Sequence, residues 1–173
     1  MISESLGSRI EDVLTVEKPF SHVDGDGKLR MVDITGKRPT LRKARASCTV
    51  RTVAGVVGKV VNGLDVVHAA RLAGIQAAKQ TANLIPLCHP LNLSEIRVDI
   101  LPNAVGVEVQ TTVVTVHRTG VEMEALTACA FAALSVMNSL VEEDPHSRME
   151  DLVLLRKSGG KSGEWGRSVD GAR

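Results

Sequence analysis

Ile85-Pro86-Leu87-Cys88-His89-Pro90 puts an imidazole and a thiol into a loop bounded by prolines. Each proline fixes its own φ and biases the residue before it away from the helical region. His89 precedes Pro90, so its backbone is expected to be extended and its ring presented from a stiff support. An imidazole titrates near neutrality, so such presentation suits acid–base chemistry or ligand orientation. Taken alone, the hexapeptide is equally compatible with a turn that carries an incidental histidine.

A second constellation is Lys157-Ser158-Gly159-Gly160-Lys161-Ser162-Gly163. Its glycines let backbone N–H groups approach an oxyanion, and Lys157 and Lys161 add charge. It contains Gly-Lys-Ser without being a Walker A loop, which needs a glycine at Leu155 and a following helix. The same composition is common in solvated chain ends. A third cluster is Thr119-Gly120-Val121-Glu122-Met123-Glu124. Two carboxylates at a helix start are favoured by the helix dipole, which accounts for them without any site. In a functional reading they accept hydrogen bonds from a heterocycle. Arg71, Lys79 and Arg118 are candidate phosphate contacts, each equally readable as a surface charge.

These residues need a scaffold. A chain of 173 residues can form one domain with a real core, and 43% apolar with 24% charged residues describe a globular chain. No uninterrupted apolar run approaches the ~18 residues of a membrane span, and the N-terminus has no secretory pattern. Cys48, Cys88 and Cys129 are few and widely spaced. That suits a reducing cytoplasm and predicts neither a disulfide framework nor a metal site. A net charge of +1 gives no global field for a polyanion. With 2% aromatic residues and no tyrosine, base-stacking platforms for nucleic acid are nearly excluded.

Residues 1–27 read as a polar arm with a turn at Asp24-Gly25-Asp26-Gly27, residues 28–166 as a single domain, and residues 167–173 as a tail. Leu29–Ile34 predicts a short leading strand. The basic run Lys37, Arg38, Arg42, Lys43 and Arg45 reads as a solvated face. Cys48–Val57 is β-branched and predicts a strand, broken at Asn62-Gly63. Asp65 can cap a helix to about residue 82, with alanines and Gly74 permitting close packing. Ser94–Leu101 alternates Ile96, Val98 and Ile100 inward with Glu95, Arg97 and Asp99 outward. Val105–Val116 completes a hairpin whose outer strand could pair with another subunit. Val121 to about Glu143 predicts a second long helix, and Leu152–Arg156 a last strand. The order β-α-β-β-α-β predicts an α+β, ferredoxin-like domain: one antiparallel sheet with two helices on one face.

Four ordered segments resemble the cyclic pyranopterin monophosphate synthase family, the molybdenum cofactor biosynthesis protein C. They are Ala73–Lys79, Leu84–Leu91, Thr119–Ala128 and Lys157–Gly163, with Met31–Ile34 and Arg42–Ala46 also matching. The resemblance implies conversion of 3′,8-cyclo-7,8-dihydro-GTP to cyclic pyranopterin monophosphate with release of pyrophosphate, without a cofactor. It implies a homo-oligomer, a hexamer built as a trimer of dimers, with sites at subunit interfaces. Carried over, Leu87, Cys88, His89, Glu122, Met123 and Glu124 fall at substrate-binding positions, with His89 also a catalytic candidate. Lys157 and Lys161 fall in the loop that meets the triphosphate, and Arg42 at a site arginine.

The chain departs from this pattern at three places. Gly63 stands where the family has a lysine, Asn138 where it has a catalytic aspartate, and Val141 where it has a second lysine. Asparagine is nearly isosteric with aspartate but is not a useful base, and valine neither donates a proton nor stabilises an anion. His68 and His117 are conceivable replacement bases. Two readings follow: an active lyase with rerouted proton transfer, or a non-catalytic homologue that binds the nucleotide or pterin or assembles with a competent paralogue.

Overall fold

A computed structural model describes residues 21–168. Residues 1–20 of the expected arm and residues 169–173 of the expected tail lie outside the described part. The chain divides into two compact units, one ending at Asp33 and one beginning at Ile34. In the first, Asp24 Oδ1 accepts the backbone N–H groups of Asp26 and Lys28 at 3.0 and 2.8 Å. Gly27 closes this turn at φ +78°. A single antiparallel bridge joins Val23 to Leu29, and the leading strand expected at Leu29–Ile34 does not form.

The second unit contains β1 (Thr40–Arg51), α1 (Ala54–Asn62), α2 (Leu64–Leu84), β2 (Glu95–Asn103), β3 (Gly106–His117), α3 (Glu122–Leu140), β4 (Arg148–Ser158) and a two-residue β5 (Trp165–Gly166). The sheet order is β2-β3-β1-β4-β5, and every pairing is antiparallel. The first four strands have the ferredoxin-like order, with α2 and α3 packed together on one face. The α+β, ferredoxin-like expectation therefore holds; α1 and β5 are additions to it.

Strand alternation builds the core. Ala44, Ala46, Cys48 and Val50 of β1 and Val107, Val109 and Val113 of β3 are buried beneath the helices. Helix α3 answers with Ala125, Ala128, Cys129, Ala132, Ala133 and Val136, all fully buried. Small residues let the elements approach closely: a Cβ on Gly74 would lie 2.8 Å from Ala128 O and 3.1 Å from Val98 Cγ2. The Cys129 and Cys48 sulfurs, 3.4 Å apart, pack as small apolar groups. By composition α3 is apolar enough to cross a bilayer, with a mean hydropathy of 1.4, but half of that stretch is buried inside the fold, as in a core helix.

Three local expectations are corrected. Residues 53–57 are not strand, because β1 ends at Arg51 and the valines enter α1, where Val56 and Val60, one turn apart, are buried. Asp144 holds the change of direction: its Oδ2 accepts Thr52 Oγ1–H at 2.7 Å and the Val53 N–H at 3.1 Å. Asp65 does not cap α2; Gly63 is the N-cap and Asp65 lies in the first turn. The basic run is not one solvated face. Arg42 turns toward the helix side of β1, while Lys43 and Arg45 are exposed on the opposite side.

Candidate active site at the end of the sheet

Pro86 ends α2 by holding Ile85 extended, at φ −116° and ψ 111°. The Cys88 N–H then donates to Ile85 O at 3.3 Å. Leu87, third residue of this turn, has φ +67°. A type II turn requires positive φ there and normally takes glycine or asparagine. A left-handed leucine costs roughly 1–2 kcal/mol, and such strain concentrates at functional sites. The residues that follow, Cys88 and His89, are half-buried.

His89 lines a pocket of ≈100 Å³ together with Lys79, Thr81, Asn83 and Glu124. Glu124 is only 4% exposed, in the first turn of α3. Burial pushes its carboxyl from 4.5 to about 7; a backbone hydrogen bond opposes the shift and the nearby Glu122 charge adds to it. Desolvation thus outweighs the helix N-terminus, and the group exchanges its proton near neutrality. The Cys88 thiol is pushed up as well, first by burial and then by the Glu124 charge.

A second cleft adjoins through the same helix start. Arg42, Gly120, Glu122, Lys157, Gly159 and Ser162 line it. Arg42 Nη1 donates to Gly159 O and Nη2 to Arg118 O, both at 3.3 Å, while its buried Nε finds no partner. An unpaired buried donor costs about 1–3 kcal/mol, which an anionic oxygen would recover. Gly159 and Gly160 have φ +99° and +71°, and a Cβ on Gly160 would strike the Arg42 guanidinium. The double glycine is what lets Arg42 lie against this loop. Lys157 Nζ stands 3.2 Å from Glu122 Oε1.

Arg42, Lys157, Glu122, Glu124, Cys88 and His89 are therefore gathered at one end of the fold, with Leu87 in the supporting turn. Met123 is 39% exposed beside them. Lys161 is exposed and lines neither cleft. Arg71 Nε donates to Val98 O at 3.2 Å, bracing α2 on β2. Arg118 contributes a carbonyl, Lys79 lines the His89 pocket, and His117 Nδ1 is buried without a partner. Ser162, from the glycine loop singled out in the sequence, lines the cationic cleft, whereas Asn83 lines the His89 pocket unannounced, since it carries no charge to attract notice.

Asn138 is not brought to this end. It is exposed near the C-terminus of α3, about 21 Å along the axis from Glu124 at 1.5 Å per residue. Val141 follows it, 61% exposed. Gly63 joins α1 to α2; Lys59, one turn before it, pairs with Glu143 at 3.6 Å. Among the described residues no three His, Cys, Asp or Glu side chains come together as metal ligands.

An open antiparallel sheet backed by two long helices, with a cationic cleft and an acid–imidazole pocket meeting at the start of α3, defines a ferredoxin-like protein with a small-molecule site. The MoaC family model matches residues 31–160, and the chain belongs to that family. Among curated relatives, the cyclic pyranopterin monophosphate synthase of Nocardioides sp. is 47% identical over 155 residues, covering 86% of this chain and 95% of its own length. That of Streptomyces avermitilis is 44% identical over 169 residues, covering 95% and 96%. That of Nostoc sp. is 45% identical over 152 residues, covering 84% and 90%.

Proposed function

We propose that this chain acts in molybdenum cofactor biosynthesis, converting 3′,8-cyclo-7,8-dihydro-GTP to cyclic pyranopterin monophosphate with release of pyrophosphate. In this reading Arg42, Lys157 and the glycine loop hold the triphosphate, and Lys161 approaches from the same loop. Leu87, Cys88, Met123 and Glu124 hold the heterocycle, and Glu122 positions Lys157. Glu124 and His89 carry protons during ring opening and closure. The observation that carries the reading is the buried Glu124, exchanging its proton at about pH 7 in the pocket that His89 lines.

The separation of Asn138 from Glu124 supports shared sites, in which the C-terminal end of one α3 faces the clefts of another copy. A hexamer, as a trimer of dimers, provides such contacts, and light scattering of the purified protein tests it. A second reading is favoured by Gly63, Asn138 and Val141, none of which handles a proton. On it the chain binds the nucleotide or pterin, alone or beside an active paralogue, without turning it over. Incubation of the purified protein with the cyclic nucleotide, followed by assay of pyrophosphate and the pyranopterin, decides between them. Turnover near that of a complete homologue establishes the synthase; tight binding without product establishes the second reading.

A further inference from the structure

The face of the sheet turned away from α2 and α3 carries two arginine pairs placed directly opposite one another across β1 and β4. At one end Arg51 faces Arg148, and at the other Arg45 faces Arg156. Like charges in this register are destabilising. The first pair is neutralised within the sheet: Glu150 takes Arg51 Nε and Arg148 Nε at 2.7 Å each. The second pair has no carboxylate from any of the four main strands. Arg45 Nη2 donates to the neutral Gln110 Oε1 at 3.0 Å. Lys43, opposite Ser158 on the same face, adds a third cation that has no ion-pair partner among the described residues.

Among the described residues, the only carboxylate here arrives from a returning loop. The chain turns at Gly163, φ +65°, and β5 pairs Trp165 with Lys157 and Gly166 with Arg156. This sets Glu164 Oε2 2.6 Å from Arg156 Nη2. The two side chains are 68% and 60% exposed, so the pair is weakly held. Together Lys43, Arg45, Arg156, Ser158 and Glu164 surround a cleft of ≈300 Å³. Three cations, one hydroxyl and a single displaceable carboxylate match a compact, multiply charged oxyanion.

The geometry points to a phosphoryl-anion site at Lys43, Arg45 and Arg156, on the sheet face opposite Arg42, with Glu164 as an intramolecular stand-in that the anion displaces. The site borders the Arg42 cleft, sharing Lys43 and Ser158 with its lining, while Arg45, Arg156 and Glu164 belong to it and not to that cleft; it does not rest on the reaction assigned there.

Trp165, the single tryptophan of the chain, follows Glu164 and reports on its release. Inorganic diphosphate is titrated into the full chain at constant ionic strength, with Trp165 emission and calorimetry as readouts. Saturable binding with a change in emission is expected. Arg45→Gln with Arg156→Gln should weaken it at least tenfold and abolish the emission change. Arg42→Gln should leave that change in place, and Glu164→Gln should tighten binding several-fold. The proposal is overturned if the double variant still responds, if Arg42→Gln alone removes the response, or if potassium chloride of equal ionic strength reproduces it. Should the double variant fail to fold, Arg45→Gln alone decides, since it keeps the Arg156–Glu164 pair. Folded by circular dichroism, it must bind diphosphate several-fold more weakly; unchanged affinity overturns the site.

Discussion

Glu122 Oε1 lies 3.2 Å from Lys157 Nζ, tying the first turn of α3 to the last turn-in of β4 across the cationic cleft. On the proposed function, the contact holds the Lys157 ammonium at the mouth of the cleft that would take a phosphoryl group and keeps it from ranging into solvent. Lys157→Gln is expected to weaken nucleotide binding by about tenfold or more, because hydrogen bonds to charged groups are worth about 1.5–3 kcal/mol. Glu122→Gln should do less, since the ammonium remains. Calorimetry with the cyclic nucleotide or GTP measures both.

Glu124 makes stability depend on pH. Its folded carboxyl titrates at about 7, above its ordinary 4.5. The folded state therefore holds a proton between these values that the unfolded chain has released. Stability is full below about pH 4.5 and falls as pH rises through 7, by up to roughly 3 kcal/mol. Glu124→Gln should remove this slope and melt higher than the parent above pH 7. Thermal denaturation of both proteins from pH 4 to 8 checks it.

Asp144 has the opposite sign. The Thr52 hydroxyl, with the Val53 and His146 backbone N–H groups, holds its carboxyl below the ordinary 3.8 against the opposing effect of burial. Its contribution is complete above that value and is lost as pH falls through the lowered one. Asp144→Asn should lower Tm at neutral pH, since an amide cannot accept three donors through two oxygens, and should flatten the acid limb of the stability profile.

Leu87→Gly relieves a left-handed leucine. The variant is expected to gain about 1 kcal/mol of stability and to lose ligand affinity through the missing side chain. Equilibrium urea unfolding and ligand titration separate the two effects.

Asn138→Asp with Val141→Lys restores two of the three departures from the family pattern. If the clefts are otherwise sound, turnover should rise by ~10²–10⁴-fold. Gly63 is left alone, because a Cβ there would sit 2.6 Å from Lys59 O and force the α1–α2 joint apart. A double variant as slow as its parent would point to the binding role.

Much of this fold was legible in the sequence because its signals are local. Ile96, Val98 and Ile100 alternate on β2 as their spacing demands, and Pro86 ends α2 where its ring requires. Of the motif residues, His89 and Glu124 line one pocket, and Arg42 and Lys157 line the cleft beside it. What escaped was set by distant partners. Val53–Val57 has strand-forming side chains, yet the Asp144 carboxylate and burial of Val56 and Val60 turn it into helix. The side of β1 taken by each basic residue depended on a register no local pattern records. Nor did Glu124 announce its burial, since a carboxylate at a helix start has a sufficient explanation in the dipole.

The central position of β1 has a consequence for how the protein is made. Its hydrogen-bonding edges are completed by β3 on one side and, on the other, by β4, which ends only at Ser158. While a ribosome is still extruding α3, one edge of β1 stands open, and the clefts lack Lys157 and the glycine loop. Contacts of such long sequence separation form late and slowly. A nascent chain halted before residue 148 would expose a half-finished sheet, so translation pausing and chaperone capture should concentrate their effects there.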